Sequence, residues 1–367
     1  MKTKIRIDEI DLIKALGIIL IVAGHAGFPC SPFINYFHVS VFFMASGYVY
    51  KPKYSFEIKT VIEFIWKKIR FLLFPYFLYN TVLSLLHTPL IYAGFYSLRY
   101  TVPEDVPGLA LTDRWTVKEI LINIGKGLLF RGDNELIQGV WFIKDLFIIS
   151  IIYCIVDYLI HVIKVEHLHL QTVFSLLLLC LGFYLDHKNL LPYGIARILS
   201  YYSLYHLGIV YREKQSLFHL TDIWTRIITV IFPLIIFIVA QQHGLSISLV
   251  KNRYPDPFFL LICALAGWLL CYEISEMINQ TYWMKKAFLY LGRNSYIVLL
   301  LHIICFKPIV LLKVTLTGAP IYRLSSIPNY KGEENGWWLI YVLSGILLPM
   351  LYCVVKGLVF KSKKKGI

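Results

Sequence analysis

Lys14 and His25 stand eleven residues apart inside an otherwise apolar run over residues 12–28. At about 3.6 residues per turn and 1.5 Å per residue, eleven positions close three turns, so both side chains share one helix face roughly 16 Å apart. Asp11 falls near that face as well. Ionisable groups in a spanning helix are costly and usually face a protein interior or a watery cavity, which marks the pair as a candidate site. An imidazole titrates near neutrality and can act as a base or as a nucleophile. The competing reading makes Lys14 an anchor that reaches the headgroups and His25 a hydrogen-bonded packing residue.

Further polar residues recur at the ends of apolar runs. Phe37-His38-Val39-Ser40 opens the next run, and a short turn with Pro29 and Pro32 is expected to bring His38 to the depth of His25. Two imidazoles at one level can serve as base and positioning group. Ala45, Ser46 and Gly47 are small enough to let helices approach closely, and Ser46 is also a candidate substrate contact. Lys67, Lys68 and Arg70 crowd the mouth of a third run, where they suit either lipid or a phosphorylated ligand. Pro75 predicts a kink there.

Trp141 fits an outer aromatic belt and is a candidate substrate contact. Lys144 and Asp145 are adjacent and face apart, so Asp145 is free to point inward and orient a histidine. Leu291-Gly292-Arg293-Asn294-Ser295-Tyr296 leads to His302, a cavity candidate, whereas His206 reads as structural and Arg197 as a further intramembrane polar residue.

These residues need a scaffold, and composition says which. The chain has 367 residues, 58% hydrophobic and 16% charged. Soluble domains carry about 25% charged residues. The apolar runs reach membrane-span length, about 18 residues or more, and are continuous rather than alternating, which excludes a β-barrel. The expected fold is an all-α transmembrane bundle of about ten spans, over residues 12–28, 34–50, 71–87, 139–163, 168–185, 193–211, 223–241, 257–272, 288–312 and 337–360. A single integral membrane domain, 1–367, follows. The longest stretch outside the membrane, residues 88–138, holds a possible amphipathic segment at 117–130.

The net charge of +14 does not point to nucleic acid, because Lys and Arg gather just beyond the apolar runs. Lys2, Lys4 and Arg6 at one end and Lys361, Lys363, Lys364 and Lys365 at the other place both termini in the cytoplasm. The basic start resembles a signal peptide, but cleavage near residues 23–27 would discard Lys14 and His25, so a retained span is expected. Seven scattered cysteines show no metal-ligand spacing and read as packing residues.

On Lys14-x10-His25, on Phe37-His38-Val39-Ser40-Val41-Phe42-Phe43-Met44-Ala45-Ser46-Gly47, on Lys67-x-x-Arg70, on Trp141-Phe142, and on Leu291-Gly292-Arg293-Asn294-Ser295 followed by His302, the chain resembles membrane-bound acyltransferase family 3. The resemblance runs from Arg6 through His302, and the His-x3-Phe-Phe form of the second run is most similar to the fucose 4-O-acetylase-like branch. It implies acetyl transfer from acetyl-CoA, a cosubstrate, to hydroxyls of surface glycans or their lipid-linked precursors in a bacterial inner membrane. His25 would be the catalytic histidine with Lys14 its basic partner on the same helix, and Lys67 and Arg70 would meet the donor's phosphates. From their own positions, His38 and Asp145 are further catalytic candidates, Lys14 and Arg293 donor contacts, and Trp141, Ser46 and His302 substrate contacts. Lys stands at 14 and 67 where Arg is frequent, which keeps charge and loses bidentate geometry. No metal and no nucleic acid partner is expected; membrane lipids are. A polysaccharide transporter or polymerase is the rival class, expected to show internal symmetry or a large outer catalytic loop.

Overall fold

The computed structural model describes residues 7–103, 106–131, 134–163, 167–217, 223–331 and 336–365. Lys2, Lys4 and Arg6 lie outside them, as do the side chains of the four lysines at the C-terminal end.

Helix α1 (Asp8–Ala26) begins with Asp8, Glu9 and Asp11, which complement the positive end of its dipole. It stops at Gly27, whose φ of 83° only glycine adopts without strain, and the Phe28 amide returns to the Ala23 carbonyl at 3.1 Å. A single turn, α2 (Ser31–Ile34), leads to α3 (Ser40–Tyr48). The expected second span is therefore broken: α3 has nine residues, about 13 Å of helix, too short to cross about 30 Å of hydrocarbon. What α3 gains is proximity. A Cβ at Gly47 would lie 1.8 Å from the Tyr205 carbonyl oxygen, and one at Gly208 would lie 2.0 Å from the Met44 carbonyl oxygen. The small residues at 45–47 thus serve close packing, with Ala45 fully buried and Ser46 half-buried between them.

Amphipathic α4 (Ile58–Lys68) is followed by a π-helical turn, Ile69–Leu73, and by α5 (Phe74–Leu85). Pro75 cannot donate to the preceding turn, and the helical ladder widens there as its missing hydrogen bond requires. After α6 (His87–Tyr92), two-residue strands β1 (Ser97–Leu98) and β2 (Leu111–Thr112) pair in parallel. The amphipathic segment forms α7 (Val117–Leu128), started by a reciprocal cap between Thr116 and Glu119.

The long helices follow: α8 (Val140–Val162), α9 (His167–His187), α10 (Tyr193–Lys214), α11 (Ile223–Gln242), α12 (Pro257–Asn279), α13 (Tyr282–Arg293), α14 (Ser295–Thr317) and α15 (Trp337–Lys365). The expected run over 288–312 is two helices, because Asn294 interrupts it as the residue before a new helix start. Among the described residues five helices, within α8, α9, α12, α14 and α15, are long and apolar enough to cross a membrane.

The chain folds as two compact units that alternate along the sequence. The first comprises Met1–Gly17, Pro32–Leu73 and Trp141–Gly292; the second comprises Ile18–Ser31, Phe74–Val140 and Arg293–Ile367. In the first, α10 packs with α3 and α9, and Phe237 stacks on both Tyr36 and Phe37. In the second, α14 packs on α15, with Phe306 edge-on to Tyr341.

Candidate active site

The second unit holds His25 in the last turn of α1. The carbonyls of that turn lack intrahelical donors and carry the negative end of the dipole, which favours the positive charge an imidazole gains as a base. Asn329 satisfies one of them, its Nδ2 donating to the Ala26 carbonyl at 2.6 Å.

His302 on α14 lies against His25, with ring centroids 5.1 Å apart and planes tilted by 45°. It is fully buried. Its Nδ1 lies 2.9 Å from the Leu299 carbonyl and 3.2 Å from that of Val298. A carbonyl only accepts, so Nδ1 carries the proton and Nε2 carries a lone pair. Phe306 closes over the ring edge-on, at 5.8 Å.

Two lysines further along α14 were not singled out by sequence reasoning. Lys307, 2% exposed, donates to the carbonyls of Leu324 at 2.9 Å and Ser326 at 2.8 Å. Lys313 donates to the Tyr330 carbonyl at 3.2 Å, with the Tyr330 ring centroid 4.9 Å from its Nζ. Backbone dipoles thereby satisfy two buried ammoniums, and the 321–330 loop is tied to the helix that carries His302. The signal was present: a lysine inside a span is as costly as a histidine.

The first unit gathers the cations expected at the membrane mouth. Lys14 pairs with Asp11 at 3.5 Å. Lys67 donates to the Tyr54 hydroxyl at 2.7 Å. Lys68 is half-buried, with Nζ 5.1 Å from the Phe64 ring centroid and 6.0 Å from that of Tyr205. Burial, reinforced by the like charges of Lys67 and Lys14, lowers the Lys68 ammonium to about 7. Lys14, Lys67 and Lys68 therefore share one electrostatic neighbourhood, although they come from distant stretches of chain. Arg70 lies exposed within the π turn.

Asp145 is fully buried, and its partner is an arginine where a histidine was expected. Arg197 grips it with Nε on Oδ2 and with Nη2 on Oδ1 at 3.2 Å, while Nη1 reaches the Val250 carbonyl at 2.7 Å. Trp141 completes the cluster, its ring centroid 4.7 Å from the guanidinium carbon. A carboxylate this deep needs a full counter-charge, which the forked guanidinium supplies and a neutral imidazole does not. His38 donates its Nδ1 proton to the Ile34 carbonyl at 2.8 Å in the turn before α3. His206 has both ring nitrogens engaged, by Tyr153 at 3.0 Å and Thr172 at 2.8 Å, as a structural histidine does. Arg293 is the last residue of α13.

The class follows from comparison with known families. Residues 7–355 match the acyltransferase domain of acyltransferase family 3. The chain belongs to that family, whose members are acyltransferases, and it is a membrane enzyme that transfers acyl groups. No curated protein and no solved structure matches it.

Proposed function

We propose that the enzyme transfers acetyl from cytoplasmic acetyl-CoA to a sugar hydroxyl of a cell-surface polysaccharide or its lipid-linked precursor, in a bacterial inner membrane. The observation that carries this reading is the contact of His25 with His302 at the end of α1, in a chain of this family. In one route His25 takes the hydroxyl proton while the hydroxyl oxygen attacks the thioester carbonyl, and CoA leaves as the thiolate. In the other, His25 attacks first and the acyl-imidazole then passes acetyl to the hydroxyl. Rapid quench with labelled acetyl-CoA and no acceptor separates them, since only the second route leaves label on the protein.

The donor's phosphates fall to Lys14, Lys67 and Arg70, with Arg293 adding charge. The shared neighbourhood of Lys14, Lys67 and Lys68 supports this assignment. Trp141 and Ser46 are assigned to the substrate and His38 to the second imidazole. Asp145 acts by holding Arg197. The topology that accompanies this reading has about ten crossings in one domain and both termini in the cytoplasm, with the second run's pattern favouring the fucose 4-O-acetylase-like branch. The test is mass spectrometry of surface glycan from a deletion strain. Loss of acetyl with chain length intact is expected; a shortened or absent glycan contradicts the reading and favours a polymerase or transporter.

A further inference from the structure

Two buried acceptor atoms are left over beside His25, and both belong to residues that touch its turn of α1. The first is His302 Nε2. Its ring faces His25, its Nδ1 proton is already given to backbone carbonyls, and Nε2 has no partner among the described residues. The second is Asn329 Oδ1. The Asn329 amide must turn its NH2 toward the Ala26 carbonyl, which fixes the oxygen as the atom left over, and it too has no partner among the described residues. His302 is 0% exposed and Asn329 4%, so neither residue is left open to bulk water. Leaving a buried acceptor unpaired is costly, and two beside one histidine call for a ligand that brings donors.

That requirement discriminates between the two substrates of acyl transfer. Next to its reacting carbonyl, which only accepts, acetyl-CoA carries a methyl and a sulfur, and its nearest N–H lies two carbons beyond that sulfur. An alcohol presents O–H donors. We infer that His302 Nε2 and Asn329 Oδ1 form an acceptor subsite beside His25 that takes the hydroxyls neighbouring the acylated one, whose own proton is left to His25. The inference rests on the proposed transfer to a sugar hydroxyl and deepens it by naming what the acceptor carries next to the acylated oxygen.

The loop is built to hold Asn329 before any ligand arrives. Lys307 grips the Leu324 and Ser326 carbonyls, and Lys313 grips that of Tyr330, so Asn329 is bracketed on both sides. Its own amide then docks on the residue after His25. A preorganised acceptor spends less of its binding energy on ordering the loop.

The test uses purified full-length protein in nanodiscs with labelled acetyl-CoA and either cis-1,2-cyclohexanediol or cyclohexanol, scoring acetyl ester per hydroxyl. Wild type is expected to favour the diol by about tenfold, the upper range for one neutral hydrogen bond. Asn329→Ala is expected to bring the ratio close to one. Both alcohols meet the same protein, so a general loss of folded enzyme cancels from the ratio. Asn329→Asp keeps the acceptor oxygen and loses the donor to Ala26, so its rate falls while its ratio stays near that of wild type. An unchanged ratio in Asn329→Ala, or a ratio near one in wild type, overturns the diol subsite and leaves acyl transfer to hydroxyls standing. Transfer to neither alcohol by wild type overturns the hydroxyl reading and the subsite with it.

Discussion

The two units use lysine in opposite ways. In the second unit, Lys307 is buried and spent on backbone carbonyls, and its charge is a structural clamp. In the first, Lys68 is half-buried against two aromatic rings and has no carboxylate partner among the described residues. The like charges of Lys67 and Lys14 act on it. The clamp is saturated by the fold; in the cation cluster Lys14 has Asp11 at 3.5 Å, Lys67 has the Tyr54 hydroxyl, and Lys68 has two aromatic rings. In the proposed reading the cations of the first unit meet the phosphorylated donor, and His25 and His302 of the second unit meet the hydroxyl-bearing acceptor.

Four substitutions test that contrast. The largest effect among the supporting residues is expected at His302→Phe, which keeps the ring and removes the nitrogens. Acyl transfer should fall about 100-fold, within the range for acid–base groups, with the KM for acetyl-CoA unchanged. Steady-state kinetics checks both quantities. Asp145→Asn removes one member of a buried pair and strands Arg197, so stability should drop by about 3 kcal/mol in a thermal or denaturant melt. Lys307→Met preserves volume and leaves two carbonyls unpaired, and a loss of about 2 kcal/mol is expected in the same assay.

Lys68→Gln should be the mildest for the fold and the most selective for the donor. The KM for acetyl-CoA should rise about tenfold with kcat nearly constant, and the salt dependence of KM should flatten. The pH dependence has a definite sign. With a folded value of about 7 against an ordinary 10.5, the folded state binds fewer protons than the unfolded state between those values. The Lys68 contribution to stability therefore rises as pH increases across that window, and Lys68→Gln removes the rise. Donor affinity runs the other way and weakens above about pH 7 as the ammonium is lost.

Much of this was legible in the residues. α8, α9, α10, α12 and α15 start within a residue or two of where their apolar runs begin, and the amphipathic segment expected at 117–130 forms α7. Hydropathy did not reveal that the run at 34–50 is a turn plus a nine-residue helix, because a turn built from Phe37 and His38 is nearly as apolar as a helix. Nor did it reveal the break at Asn294, the residue between α13 and α14.

For the site, residue type was readable and pairing was not. His25 and His302 stood out because each is expensive in a membrane. Arg197 and Asp145 are 52 positions apart, and Asn329 is 303 positions from the Ala26 carbonyl that it caps. No local pattern connects such residues; only the fold does. Lys307 and Lys313 carry the same cost in a membrane span as His25.

Under the proposed function acyl transfer runs through His25. The direct measurement is single-turnover acetyl transfer by His25→Ala in nanodiscs with labelled acetyl-CoA and isolated surface glycan, alongside wild type. A fall of about 1,000-fold or more with donor binding retained is the predicted result. Transfer at the wild-type rate would contradict it.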